Sequence, residues 1–376
     1  MINISNKDIS FYLELLEEGQ NAATYVPFGF AFQVDSGLYL MLKFFDDIKY
    51  IEIESKLQDI EFECNNGDLI LVQAKASENP NASNCNEKSK LFDAFLSLVK
   101  SDNDKVRKLI YVSNLNDPLK INNSTSFDGK IVEYNYLSEN EKKVINKCLN
   151  DIKNKLNNKI SDDKCSTRNK GLSKAIMYKI DNLDLDKICI LTIPRYYGDI
   201  DREIEIINSL KSFLMTKFGF QDFNADAYGK KIYSLIHNKF DYLSSVSTES
   251  KIKKVNKKDF AWFSIVVITE NTSPSEALNS LDEFYEDEVA NKIQGYSYEF
   301  DKYMEFENLT KIITDYTEYR IKEKKDSKCF INEKYEDYLD YFNFISDEEE
   351  KRLATKCFLY KICRNASLIN KISRGI

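Results

Sequence analysis

Between residues 28 and 113 the hydrophobic pattern changes period several times, and each change marks an element. Phe28 to Phe45 is almost wholly apolar. It is too long for one strand and predicts a buried helix. Tyr50 to Glu54 predicts a strand, and Asp59 to Cys64 alternates, with Ile60 and Phe62 on one face and Asp59, Glu61 and Glu63 on the other. The run after Gly67 alternates as well: Ile70, Val72 and Ala74 share one face, Gln73 and Lys75 the other, because side chains at i and i+2 of a strand point the same way. Leu91, Phe92, Phe95, Leu98 and Val99 then return to helical spacing, and Lys108 to Ser113 reads as another strand. The predicted order is helix, three strands, helix, strand.

The connection Asn65-Asn66-Gly67 sets how the second and third strands meet. A two-residue loop would oppose Glu61 to Val72 and mix charge into the apolar face. A three-residue loop with Gly67 in the left-handed position of a bulge pairs Phe62 with Ile70 and Ile60 with Val72, and sets Asp59 across from Gln73. The second register keeps the apolar set together and is the one expected.

Beyond the N-terminal third, Leu137 to Leu156 reads as a helix, Asp117 to Gly129 as a polar connector, and Asn157 to Gly171 as a loop rich in Asn, Ser, Asp and Lys. Lys187 to Pro194 predicts a buried strand that completes the sheet. From Asp201 helices dominate, with Ile207, Leu210, Phe213 and Leu214 on one stripe. Ser273 with Glu276 forms a capping box with Pro274 at the first helical position, and Ser346 with Glu349 repeats the box before a helix ending near Arg364. The expected domains are 1–200 and a helical 201–376.

The helix and strand order carries a set of residues of chemical interest: Gly29-Phe30-Ala31-Phe32-Gln33 on the first helix, Glu54 and Asp59 around the second strand, Gln73-Ala74-Lys75 on the third, and Val112-Ser113-Asn114 closing a later strand. This set resembles the PD-(D/E)XK nuclease superfamily. More narrowly, it looks like the endonuclease domains of bacterial anti-phage effectors: the type fused to a cyclic-oligonucleotide sensor in CBASS systems, the nuclease subunit of Lamassu systems, and nucleases partnered with HerA-type ATPases. The matching motifs cover roughly the first third of the chain. The resemblance implies an α/β restriction-endonuclease-like core (αβββαβ, mixed sheet) followed by a mainly α-helical C-terminal domain, and metal-dependent cleavage of double-stranded DNA.

Phosphodiester hydrolysis needs a water made more acidic and a phosphate whose charge is offset, and a hard cation held by oxygens, Mg²⁺ or Mn²⁺, does both. Asp59 is the first expected metal ligand, Gln73 a second through its amide oxygen and with less charge than a carboxylate, and Glu54 a third. Lys75 would orient water or offset phosphate charge, and Gln33 would assist from the first helix. Taken alone, Gln-x-Lys is also what the solvated side of an edge strand looks like. Glu52, Glu61 and Glu63 are expected as solvated carboxylates rather than ligands.

Composition restricts the alternatives. The chain has 376 residues and a single histidine, His237, which excludes two-histidine ribonuclease and phosphodiesterase chemistry and is expected as an ordinary helix residue. No phosphate-binding G-x-x-x-x-G-K-[ST] loop is present, so any ATP hydrolysis belongs to another chain. Eight cysteines without a C-x-x-C pair read as reduced and mostly buried. Gln33, Asp35 and Lys43 within the apolar segment argue for a buried helix over a membrane span, and a polar Met1 to Gln20 lacks a signal-peptide core. The chain is expected to be cytoplasmic.

A net charge of −8 predicts weak binding to free DNA unless basic residues concentrate locally. The candidates are Lys251 to Lys258, Arg320 to Lys328 and Lys153 to Lys170. With no second sensor domain legible, activation through oligomerisation or an SMC-like or HerA-like ATPase encoded nearby is expected. The aromatic residues Tyr296, Phe300, Tyr303, Phe306, Tyr335, Tyr338, Tyr341, Phe342 and Phe344 are expected to form a docking surface for that partner or for self-assembly. Two other readings stay open: a noncatalytic nuclease-like scaffold or DNA-docking subunit, kept alive by glutamine at position 73, and an RNA-directed nuclease.

Overall fold

The hairpin that the alternation predicts forms in the expected register. In a computed structural model, which describes residues 27–77, 87–115, 117–119, 129–193, 200–245, 254–303 and 306–375, β1 (Ile48–Ile53), β2 (Ile60–Cys64) and β3 (Leu69–Lys75) run antiparallel to their neighbours in turn. Phe62 faces Ile70 and Ile60 faces Val72. Gly67 supplies the left-handed turn residue with φ 86°, and Cys64 and Asp68 close the loop with a 2.8 Å main-chain hydrogen bond.

Four further strands complete a seven-stranded mixed sheet: β4 (Val106–Ser113), β5 (Val132–Glu133), β6 (Ile188–Thr192) and β7 (Lys254–Asn256), in the order β5-β6-β4-β3-β2-β1-β7. Strands β3, β4 and β6 are parallel. Such strands need covering on both faces, and helices provide it. Helix α1 (Pro27–Lys43) lies close over one face: a Cβ on Gly37 would stand 2.6 Å from Ile53 Cδ1 and 2.9 Å from Ile51 Cδ1. On the other face α2 (Glu87–Ser101), α3 (Glu139–Ser161) and α4 (Thr167–Asp181) enclose a core that includes Leu71, Phe95, Leu98, Tyr111, Ile145, Leu149, Ile152 and Ile176. The element order from α1 to β4 is the expected α-β-β-β-α-β.

The expected loop over residues 157–171 is corrected. Helix α3 continues to Ser161 and α4 starts at Thr167, capped by Ser166, whose side chain accepts from the Asn169 amide. Ile152, Leu156 and then Ile176 keep an apolar stripe buried on both sides of a short turn, and that burial outweighs the polar composition between them. Most of the expected 117–129 connector lies outside the described residues.

The chain divides into two compact units: 1–206 with 237–256, and 207–236 with 257–376. A linear boundary after residue 200 therefore misses β7, which returns to pair with β1. The C-terminal portion is mainly helical: α5 (Ile200–Phe218), α6 (Asp222–Ser245), α7 (Lys257–Glu270), α8 (Pro274–Ser280), α9 (Asp287–Tyr303), α10 (Phe306–Glu323), α11 (Ser327–Lys334) and α12 (Glu348–Arg374). Ser273 caps α8 by accepting from the Glu276 amide, with Pro274 at its start, while the Glu276 carboxylate pairs with Arg364. Helix α12 is capped by Asp347 rather than Ser346 and runs ten residues past Arg364, to Arg374, because Ala366, Ile369 and Ile372 extend its buried stripe. Two of the aromatic residues expected on a docking surface are core instead. Tyr338 and Phe342 are buried, Tyr338 donates to Asp315 Oδ2 at 2.8 Å, and Phe342 stacks edge-on against Phe358. Phe300, Tyr303 and Phe306 have side chains outside the described set.

Candidate functional site

Strand β3 outruns β2, and the site forms where it does so. The last β2–β3 pair is Ile60 with Val72, whereas Gln73, Ala74 and Lys75 continue to pair with Tyr111, Val112 and Ser113 of β4. On their other edge the ladder is replaced by one side chain. Asp59, immediately before β2, turns its carboxylate onto this edge: Oδ2 accepts the Ala74 amide at 3.0 Å and the Gln73 side-chain amide, and lies 3.5 Å from Lys75 Nζ. None of these contacts uses Oδ1. An acceptor is thus put where a missing strand would leave an orphan main-chain donor.

The β1–β2 connection holds Asp59 in place. Glu54 adopts a left-handed conformation (φ 53°), and its amide donates to the Asp59 carbonyl at 2.7 Å. This backbone bond sets Glu54 next to Asp59, and no hydrogen bond of the Glu54 side chain to Gln73 or Lys75 is seen. Ser55 Oγ accepts from the Leu57 and Gln58 amides and donates to the Gln58 carbonyl, all within 3.1 Å. Gln58, 2% exposed, then pins the turn to α2: Nε2 donates to the Ser97 carbonyl (2.8 Å) and Ser101 Oγ (2.9 Å), and Oε1 accepts from Ser97 Oγ (3.2 Å). Ser101 Oγ donates to the Leu57 carbonyl. Sequence reasoning missed Gln58. Its neighbour Asp59 drew attention, but nothing local distinguishes a bridging glutamine from a solvated one.

At the other end of β3, the fully buried Asn114 spans the strand exit, accepting from Ser77 N and donating to Ser77 O at 2.7 Å each. Lys90 of α2 donates to the Ala76 carbonyl. Asn114 belongs to the Val112-Ser113-Asn114 motif; its role here is to fix where β3 leaves the sheet. Across the parallel strands Lys75 faces Ser113 and Ser113 faces Thr192, so a polar row follows the C-terminal strand ends on the side away from α1.

Burial pushes the Asp59 carboxyl above the ordinary carboxylate range, and Lys75, the Ala74 amide and Gln73 pull in the opposite direction without offsetting it. Glu61 is also raised by burial, which corrects its expected place among solvated carboxylates. Glu63 is lowered, chiefly by the Tyr50 hydroxyl, which bonds it at 2.5 Å, with Lys49 3.0 Å away. Gln33, on α1 and 9% exposed, forms no hydrogen bond with Asp59, Gln73 or Lys75, and its Oε1 has no partner among the described residues. The fold therefore brings Asp59, Gln73 and Lys75 together, with Glu54 beside them through the backbone and Gln33 outside the cluster. Among the described residues no group of three His, Cys, Asp or Glu side chains is placed to hold a metal.

The other chemically interesting side chains are engaged elsewhere. His237 places Nε2 2.9 Å from Oδ1 of the fully buried Asp35 on α1. Burial pushes the thiols of Cys148 up to about 12 and of Cys189 and Cys357 to about 11. Of the basic runs, Lys254 lies over the Tyr50 ring at 3.6 Å, Lys153 pairs with Asp181, and Lys322, Lys325 and Lys328 pair with Glu318, Glu333 and Asp282. Lys251 and Lys253 lie outside the described residues. Among the described residues no helix is long and apolar enough to cross a membrane. No protein-family model, curated protein or solved structure matches the chain.

Proposed function

We propose that the Asp59, Gln73 and Lys75 site hydrolyses phosphodiester bonds with the help of a divalent cation. The observation that carries the reading is the convergence of Gln73, the Ala74 amide and Lys75 on one oxygen of Asp59. A carboxylate, an amide and an ammonium meet at the open edge of a buried sheet.

The donor chemistry fits a hard cation such as Mg²⁺ or Mn²⁺: Asp59 Oδ1 is unused by the three contacts, and Gln73 and the Ala74 carbonyl add neutral oxygens, with Glu54 one backbone hydrogen bond away. When bound, such an ion would offset phosphate charge and make a water more acidic. Lys75, side chain 31% exposed, is free to turn from Asp59 toward a phosphate or its attacking water. Burial disfavours the charge on Asp59, and any added positive charge would favour its ionised form.

Resemblance to the anti-phage endonuclease domains supports double-stranded DNA as substrate and a role as a defence effector. The net charge of −8 and the pairing of Lys153, Lys322, Lys325 and Lys328 with acidic residues support activation by oligomerisation or by an ATPase partner, since both weaken the attraction for free DNA. One observation favours a second reading, a noncatalytic scaffold. The cluster holds a single carboxylate in direct contact, and Lys75 already balances it.

Plasmid cleavage in Mg²⁺ or Mn²⁺ decides between them, with wild type and Lys75→Ala assayed alone and with the proteins encoded beside the gene. The nuclease reading expects cutting that falls by about 10²-fold or more in the variant. Matched RNA left intact would assign the sugar. No cutting in any assembled condition moves the conclusion to the scaffold.

A further inference from the structure

The lysines of α3 fall into two groups. Lys142 pairs with Glu139 and Lys153 with Asp181. Lys155 and Lys159 are exposed and four residues apart, so they share a face of the helix, and among the described residues neither ammonium has an ion pair or a hydrogen bond. Lys155 reaches instead to α2, with Nζ 4.6 Å from the centroid of the Phe92 ring. That ring packs against the core beneath α2, and it fixes how closely the lysines of α3 approach that helix.

Lys100, in the last turn of α2, stands in the field of both. It is half-buried, and its ammonium likewise has no ion pair or hydrogen bond among the described residues. Burial and the charges of Lys159 and Lys155 pull its pKa below the ordinary lysine range, and Asp93 pulls the other way without offsetting them. Asp93 of α2 and Asp151 of α3 come within ion-pair distance of none of the three ammoniums. Three like charges are thus held together across two helices with no salt bridge to relieve them, in a chain whose net charge is −8. Their mutual repulsion is relieved by an anion bound between them.

We propose that Lys100, Lys155 and Lys159 bind a doubly charged phosphate group. A phosphomonoester carries about −1.5 to −2 charge at neutral pH and three acceptor oxygens, which suits three ammoniums opposed by the one nearby acid, Asp93. A carboxylate ligand offers a single charge and fewer oxygens. Lysine binds phosphate as a point charge on a flexible stem, so stems from two helices can close on one group. A free phosphate ligand and the terminal phosphate of a nucleic-acid end share this chemistry. The cluster is separate from Asp59, and the proposal does not depend on the nuclease reading.

The test is a ³¹P titration of inorganic phosphate with the full chain, in the absence of divalent metal. It compares wild type, Lys100→Met, the double variant Lys155→Gln with Lys159→Gln, and Lys75→Ala. Wild type should bind saturably, and Lys100→Met and the double variant should each lose at least fivefold in affinity, while Lys75→Ala changes it by less than twofold. Lys100→Met keeps the apolar stem and removes a repelled charge, so its Tm should be no lower than wild type; if it fails to fold, the exposed double variant decides. Absence of saturable binding to wild type, undiminished binding by the cluster variants, or a loss confined to Lys75→Ala overturns the proposal. A short DNA duplex with a 5′-phosphate that displaces inorganic phosphate better than the same duplex with a 5′-hydroxyl assigns the source to a nucleic-acid end, and displacement by neither assigns it to a free ligand. Equal displacement by both overturns the choice of a doubly charged phosphate.

Discussion

Asp59 carries its charge in a place that penalises it, and this gives the residue a measurable signature. Burial raises its pKa in the folded chain, so the folded state holds that proton more tightly than the unfolded one. The resulting penalty is absent below the unfolded pKa of about 3.9 and complete above the folded value. Stability from this residue therefore falls as pH rises through that window. Asp59→Asn keeps an acceptor for the Ala74 amide and removes the charge, so it should raise Tm at pH 7, with the gain vanishing as the pH drops below the ordinary carboxylate range. Thermal unfolding across pH reads this directly; a gain undiminished at low pH would mean that charge is not the cause. Lys75 behaves differently, because its pair with Asp59 is long and partly exposed. Lys75→Ala should change stability by no more than about 1 kcal/mol while abolishing whatever chemistry the site performs.

At the scale of elements, the β1–β2 turn is what aims the carboxylate. Gln58 ties that turn to α2 with both ends of its amide, and α2 is in turn seated on β3 and β4 by Leu91, Phe95 and Leu98. Gln58→Ala would leave the Ser97 carbonyl and the Ser101 hydroxyl without this donor in a buried setting. It should cost about 1–3 kcal/mol in urea unfolding, and it should lower activity more than a surface substitution of equal stability cost. An unchanged urea midpoint would show that water replaces the amide at no cost. The hairpin beyond Asp59 is legible from sequence because its information is local. Strict alternation of period two fixes which side chains face inward, and Gly67 fixes the length of the turn.

For the whole molecule, the discontinuous first unit matters most. Strand β7 covers the outer edge of β1, with Val255 buried opposite Ile51, and His237 reaches Asp35 in α1. Both come from beyond residue 206. A chain cut after residue 206 should expose the β1 edge and strip His237 from a fully buried carboxylate, with a tendency to aggregate that uncapped edges create. Size-exclusion chromatography and a melting curve of that fragment check this; a monomeric fragment melting as cooperatively as the full chain would show the returning segment to be dispensable.

By itself the sequence determined the local periodicities: the buried first helix, the β2–β3 register, the cluster of Asp59, Gln73 and Lys75 on one edge, and the helical character of the C-terminal portion. Each depends on residues a few positions apart, whose relative directions follow from helix or strand geometry alone. Only the tertiary structure decided what depends on distant partners. Gln58 is a clamp because α2 folds against it, Gln33 stands outside the cluster because α1 covers the opposite face of the sheet, and β7 completes the first unit from far along the chain. Lys356, buried on α12, meets Glu283 and Asn332, because the position of that carboxylate is set by packing and leaves no local trace.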